Sequence, residues 1–220
     1  MDSVIGKIYE KVRDHVVDTT AVLVASNPLF TISENILSGM SDELSIDNRI
    51  KGSLLFYFGA GFLFSKSRDM YNKLLNVKED SRYKGLHDTL LGAIFGAGFN
   101  AMITATNSQS LEDITAGAFA GFIPGSITGF PVGYAIDTFR DFTGITSSKR
   151  IPERIRNLPK KVKNTLAIGL VAVSLAFMSG VYNATPRDFR GVNGYVRDYF
   201  SESIERKDTN TKNQIDYRER

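Results

Sequence analysis

The chain has 220 residues, of which 42% are hydrophobic and 23% are charged, and its net charge at pH 7 is +3. It contains no cysteine and only two histidines, so disulfides and thiolate metal sites are excluded, and we expect neither a metal site nor a cofactor. Basic residues interleaved with aromatic residues are missing, which argues against nucleic-acid binding. The mean hydropathy of −0.13 resembles that of a soluble protein, but this average hides an uneven distribution of charge.

Charged residues are absent from three long runs, at 89–111, 114–136 and 164–186. Each run has 23 residues, and a helix of roughly 20 residues crosses the hydrocarbon core of a bilayer. Two shorter uncharged runs, 19–33 and 52–65, would suit either buried soluble helices or spans extended by polar flanks. We therefore predict an all-α membrane protein with hydrophobic helices at 16–37, 50–70, 86–107, 113–140 and 164–184.

The connections between these helices alternate in charge. Basic residues dominate before the first helix, between the second and third, and between the fourth and fifth, while the other two connections are acidic. The positive-inside rule then places the N-terminus and the basic connections in the cytoplasm of a multi-pass membrane protein. The predicted segments are a cytoplasmic N-terminal segment 1–15, a four-helix core 16–145, a basic cytoplasmic loop 146–163, a fifth hydrophobic helix 164–184 and a polar charged tail 185–220. Whether the fifth helix spans the membrane, and on which side the tail lies, is left open.

The first four helices have the plan of two similar hairpins. An Asp-Thr pair lies near the start of the first helix of each hairpin, and charged residues end the second helix about fifty residues later. This pattern predicts a parallel repeat of two hairpins. The charged residues concerned are Asp18, Arg68 and Asp69 in the first hairpin, and Asp88, Asp137, Arg140 and Asp141 in the second.

These charges allow two interpretations. Ionisable groups beside apolar runs are costly unless they are paired or hydrated, and they often mark functional positions. Asp18, Asp88 and Asp137 are candidates for proton exchange, whereas Arg68 and Arg140 could equally be ordinary interfacial charges. The mid-helix Asn27, Asn100 and Thr104 suit contact with a substrate or hydrogen bonds between helices.

Glycine recurs at every fourth position along the fourth helix. In lipid, such a ridge lets another helix approach its backbone closely, and the third helix offers a short counterpart. Pro124 and Pro131 lie within the same helix, where neighbouring helices or water would satisfy the carbonyls they leave free. The ridge is explained by packing alone, or by packing together with a substrate path along a kinked helix. The predicted packing residues are Gly117, Gly121, Gly125, Gly129 and Gly133, with Gly92 and Gly96 opposite.

Four segments and one aspartate together resemble a known family. They are DTTAVLV (18–24), ENILSGMSDELSIDNR (34–49), SRDMY (67–71), GFPVGYAID (129–137) and Asp88. In content and spacing they are similar to the L-alanine exporter family of bacterial and archaeal inner membranes. The resemblance covers roughly residues 12–142. Ser67 stands where that family has an aromatic residue, and the fifth helix and the tail have no counterpart in its four-helix pattern.

The resemblance implies export of L-alanine, or a related small neutral amino acid, driven by the proton gradient. The chain has no phosphate-binding loop, so we do not expect ATP to drive transport. A zwitterion needs an anionic partner for its ammonium group and a cationic partner for its carboxylate. We expect Asp18, Asp88 and Asp137 to share proton exchange and ammonium contact, and Arg68 to bind the carboxylate. The expected partners are L-alanine, protons, the lipid bilayer and a second copy of the chain, packed through a glycine ridge.

A second function class stays open. A membrane scaffold or pore assembled through glycine ridges would tolerate substitution of Asp18 and Asp88 but not of Gly121 and Gly125. Enzymatic activity is not expected, because the sequence offers no evident pairing of a nucleophile with a base and no metal-ligand cluster.

Overall fold

The computed structural model describes residues 2–37, 41–78, 83–107, 110–186 and 192, and all regular structure in that part of the chain is helical. Two short π-helical segments, Ser33–Leu37 and Phe56–Ala60, follow the first and second helices. The α-helices are α1 Asp2–Ile32, α2 Asp42–Leu55, α3 Gly61–Leu74, α4 Lys84–Asn107, α5 Leu111–Thr143, α6 Glu153–Arg156 and α7 Lys160–Ala184.

Each predicted hydrophobic helix coincides with helical structure, and the bounds differ most at two places. The first helix begins at Asp2 rather than at residue 16. The predicted helix 50–70 is instead split into α2 and α3, and α2 begins earlier, at Asp42. Asp42 and Glu43 lie in its first turn, where their negative charges interact favourably with the positive end of the helix dipole. Gly59 lies between these two helices and has a φ of 143°, which residues other than glycine rarely adopt. Most of the predicted tail, 185–220, lies outside the described residues.

Helices α4 and α5 pack backbone to backbone along an antiparallel seam of glycines. A Cβ atom added to Gly92 would lie 2.6 Å from the Cα of Gly129, and one added to Gly125 would lie 3.2 Å from the Cα of Ala93. One turn further along, a Cβ on Gly96 would lie 3.2 Å from the Cα of Gly125. Any side chain at these positions would force the two helices apart.

Helix α1 lies antiparallel to α2 and α3, and α7 packs beside it. Asn27 of α1 donates a hydrogen bond of 3.4 Å to Ser53 of α2, so this asparagine joins two helices. Pro28 has no N–H and leaves the carbonyl of Val24 without its helical partner. The hydroxyl of Ser174 on α7 donates to that carbonyl at 3.1 Å. A hydroxyl group on a neighbouring helix therefore supplies the hydrogen bond that the proline removes.

The interior is a small apolar cluster from five helices, while much of the apolar surface faces outward. Ile94, Ile127 and Ile168 are 60%, 63% and 71% exposed. Among the described residues, two helical stretches are long and apolar enough to cross a membrane, Val4–Ile36 and Lys160–Ala184. The four-helix transmembrane core and the fifth span remain predictions. The interior cluster consists of Ala21, Val22, Phe64, Leu91, Val132, Ile136, Phe139, Phe142 and Ala167.

Candidate functional site

A buried arginine joins the two helical hairpins. Arg68 of α3 donates through Nε to Asp88 of α4 at 2.7 Å and through Nη1 to Asp137 of α5 at 2.9 Å. Its Nη2 donates to both carboxylates, at 3.3 and 3.0 Å. Arg68 and Asp88 are each only 2% exposed. All donor nitrogens of Arg68 are therefore used by these two aspartates, and a substrate carboxylate would have to displace one of them.

Two further cations complete this cluster, which we call the Arg68 network. Arg150, in the loop after α5, donates to Asp88 at 2.6 Å and to Asp137 at 3.0 Å, and its guanidinium lies 5.4 Å from the ring centre of Tyr134. The ammonium group of Lys84, at the start of α4, lies 3.0 Å from Asp137. Three cations thus surround two carboxylates.

A second cluster, the Arg140 network, lies beside the first. Arg140 of α5 donates to both oxygens of Asp18 on α1, at 2.7 Å each. It also donates to Asp69 of α3 at 2.9 and 3.1 Å, and to the hydroxyl of Ser65 at 2.7 Å. Ser65 in turn donates to Asp18. One cation here holds two carboxylates.

The two networks are reciprocal. Arg68 belongs to the first hairpin and binds the aspartates of the second, whereas Arg140 belongs to the second hairpin and binds the aspartates of the first. Nearby, Asp141 accepts from Lys163 of α7 at 2.5 Å and from the Ser148 backbone N–H at 3.2 Å. Within the described residues, the five basic and five acidic side chains of these clusters balance in charge.

The ion networks lie between two cavities that share no lining residue. A polar cavity of about 300 Å³ is lined by Arg68, Asp137 and Arg140, among others. A central cavity of about 360 Å³ lies between the hairpins, and Phe64 and Val132 line it. Both of these apolar residues belong to the buried core, at 6% and 4% exposure. Packed side chains and ion pairs therefore separate the central cavity from the polar one.

A further ion pair lines the central cavity. Arg49 of α2 binds Glu34, which lies in the π-helical segment after α1. Ser45 donates to the other oxygen of Glu34 at 2.7 Å and lies 3.1 Å from the hydroxyl of Tyr182 on α7. The guanidinium of Arg49 also lies 4.8 Å from the ring centre of Phe30.

The sequence-predicted residues are brought together in part. Arg68, Asp88 and Asp137 share one network, while Asp18 is held by Arg140 in the other. Arg150 and Lys84 were missed, because the sequence shows them only as charges of basic connections.

The predicted glycine ridge lies partly at the seam and partly at the charged site. Gly92 and Gly96 face Gly121, Gly125 and Gly129 within one chain, so the seam is not free to pack a second copy. The next glycine, Gly133, faces the side chain of Asp88. Gly117 lies in α5, but its surroundings fall outside the described residues, as do the side chains of Asn100 and Thr104.

In the part of the chain that the structure describes, no group of three or more His, Asp or Glu side chains is placed to hold a metal ion. Comparisons of the chain with protein-family models, with curated proteins and with solved structures found no match.

Proposed function

We propose that this protein is a secondary exporter of L-alanine or a related small neutral amino acid in the inner membrane, driven by the proton gradient. The observation that carries the proposal is the central cavity between two helical hairpins, which packed apolar side chains and reciprocal buried ion networks separate from the polar cavity. Buried charges of this kind are rare in membrane proteins unless they serve transport or proton exchange. The sequence resemblance to L-alanine exporters supplies the substrate class.

A multi-pass arrangement is supported by the outward-facing apolar side chains. Ile123 and Ile127 of α5 are each 63% exposed, and Val173 and Leu175 of α7 are 65% and 61% exposed. In water such surfaces would aggregate, whereas lipid accommodates them. In this proposal the ion networks lie at the cytoplasmic ends of the helices and the N-terminus lies in the cytoplasm, an orientation that the positive-inside pattern favours.

In this proposal the ion networks are the closed cytoplasmic gate. Protonation of Asp88 or Asp137 removes a negative charge that holds Arg68 and Arg150, so the hairpins separate more easily at this end. Proton binding is thereby coupled to access from the cytoplasm. In the open state the aspartate that remains ionised, once released from Arg68, faces the entering ammonium group of the substrate.

Oligomerisation belongs to the same proposal. Because the α4–α5 seam lies within one chain, a homodimer would use the exposed apolar faces of other helices, not the glycine ridge. Crosslinking in membranes would show a dimer band, and a fully active monomer would remove this part of the proposal.

The test is alanine retention in cells that lack their own alanine exporters. The cells are fed an alanine-containing dipeptide, and intracellular L-alanine is measured with and without this protein. We expect a lower level with the protein, and a protonophore should abolish the difference. An unchanged level, with the protein confirmed in the membrane, would exclude alanine export and favour a scaffold or pore without coupled transport.

A further inference from the structure

We propose that the Glu34–Arg49 pair is the site at which the zwitterionic substrate binds, with its ammonium group on Glu34 and its carboxylate on Arg49. The inference rests on the proposed transport function and names the substrate contacts within it. It also separates two tasks: the Glu34–Arg49 pair recognises the substrate, and the Arg68 and Arg140 networks open and close access to it.

The first argument is location. Both side chains line the central cavity, on the opposite side of its apolar layer from the ion networks. They are 14% and 18% exposed, so they are largely shielded from solvent yet face open space. Glu34 lies in a π-helical segment, a local widening of the helix that occurs frequently at functional sites.

The second argument is unused bonding capacity. The Nε atom of Arg49 is buried and has no hydrogen-bond partner among the described residues. A buried guanidinium donor without a partner is costly, and a carboxylate is the group that matches its geometry. By contrast, all three guanidinium nitrogens of Arg68 donate to Asp88 or Asp137. Arg49 is therefore better placed than Arg68 to donate hydrogen bonds to a substrate carboxylate in this conformation.

The third argument is charge balance and size. The Glu34–Arg49 pair is neutral as a whole, so a zwitterion adds no net charge to the cavity. An anion or a cation would bring a net charge that nothing in the pair compensates. Phe56, Phe95 and Phe99 give the cavity an apolar wall. Where glycines line the cavity, the wall is formed by backbone atoms. A volume of about 360 Å³ accepts a small amino acid. The ligand class that fits is a neutral α-amino acid with a small apolar side chain.

The experiment measures binding to the purified full chain in lipid nanodiscs, with L-alanine and L-alaninamide as probes. Alaninamide keeps the ammonium group but has no carboxylate, so wild type should bind it at least tenfold more weakly than L-alanine. In Arg49→Gln, L-alanine binding should weaken at least tenfold and the preference over alaninamide should fall close to one. Lys51→Gln is the matched control, because Lys51 lies on the same helix in an ion pair and is 72% exposed.

A second variant tests the cavity without touching the ion pair. A Cβ atom on Gly52 would meet nothing within 4 Å, and Gly52 lines the cavity. Gly52→Val should therefore fold normally and reduce L-alanine affinity at least fivefold. Gly98→Val is its control, because Gly98 is equally open but does not line the cavity.

The outcomes separate this inference from the proposed function. If wild type exports and binds L-alanine but Arg49→Gln keeps the preference over alaninamide, the site is wrong and the transport function stands. Unchanged affinity in Gly52→Val overturns the site as well, even if Arg49→Gln fails to insert. If wild type neither binds nor exports L-alanine, both the site and the proposed function fall.

Discussion

Arg68 shows what a buried charge requires in this protein. It is 2% exposed and holds two aspartates in two-pronged contacts, the geometry that a guanidinium favours with carboxylates. Removing one partner of a buried ion pair is more damaging than replacing the whole pair, because the remaining charge is left without compensation. Single substitutions in the Arg68 network should therefore affect both folding and transport.

Asp88→Asn is the clearest test at this scale. It would leave Arg68, Arg150 and Lys84 sharing the carboxylate of Asp137, so we expect the free energy of unfolding to fall by about 3–5 kcal/mol and alanine export to be lost. Thermal unfolding in detergent and the dipeptide assay measure the two effects. Asp47→Asn is the control, since Asp47 is 47% exposed in a surface pair with Lys51. Wild-type export by Asp88→Asn would rule out the proposed coupling role of this aspartate.

The residues of the site were only partly predictable from the sequence. Asp18, Asp88 and Asp137 stood out because each lies within or beside an apolar run. Their partners did not, because Arg140 is 122 residues from Asp18 and Arg150 is 62 residues from Asp88. No local spacing rule connects residues so far apart. The unpartnered nitrogen of Arg49 is also invisible in the sequence, since it depends on what surrounds the side chain.

At the scale of elements, helix positions followed from the uncharged runs, while helix ends did not. The acidic stretch at 42–49 looked like a loop but forms the start of α2, whose Arg49 is held by Glu34 of the preceding segment. The close approach of α4 and α5 was implied by glycine at every fourth position. The break between α2 and α3 at Gly59 was not implied by the sequence, because a lone glycine in an apolar run has several structural explanations.

The glycine seam makes a prediction for Gly125→Ala. A Cβ at this position would lie 2.9 Å from the carbonyl carbon of Gly92, where only backbone is present and nothing can rotate away. We expect a loss of about 1–3 kcal/mol in stability, measured by thermal unfolding. Gly169→Ala on α7 is the matched control, because a Cβ there would meet nothing within 4 Å. Equal stability of the two variants would show that the seam is looser than described.

The contact between Pro28 and Ser174 can be tested by a double-mutant cycle. Ser174→Ala leaves the Val24 carbonyl without a partner and should cost about 1 kcal/mol. In a Pro28→Ala background the helix can supply its own N–H at that carbonyl, so the same substitution should cost much less. Unfolding measurements on the four proteins give the coupling directly. Additive effects would mean that Ser174 does not replace the bond that the proline removes.

At the scale of the whole molecule, the topology can be tested cleanly because the chain has no cysteine of its own. We expect Asp47→Cys, on the acidic side, to react with a membrane-impermeant maleimide in intact spheroplasts. Glu153→Cys, in the basic loop, should react only after the membrane is permeabilised. Labelling of both from outside, or of neither, would contradict the predicted orientation of the four-helix core.

The reciprocal ion pairs also impose an order on how the chain is completed. Asp18 and Arg140 are separated by 122 residues, so at about 5–20 residues per second the ribosome makes the arginine about 6–24 s after the aspartate. In the proposed multi-pass arrangement, the first hairpin would enter the bilayer before Arg140, the cation that pairs with Asp18, has been made. In that arrangement a chain cut short before α5 would keep Asp18 without the guanidinium of Arg140, and an unpaired charge in a bilayer is costly. In the finished chain Asp18 is buried and paired with Arg140, so the first hairpin reaches its final charge balance only when the second hairpin is complete.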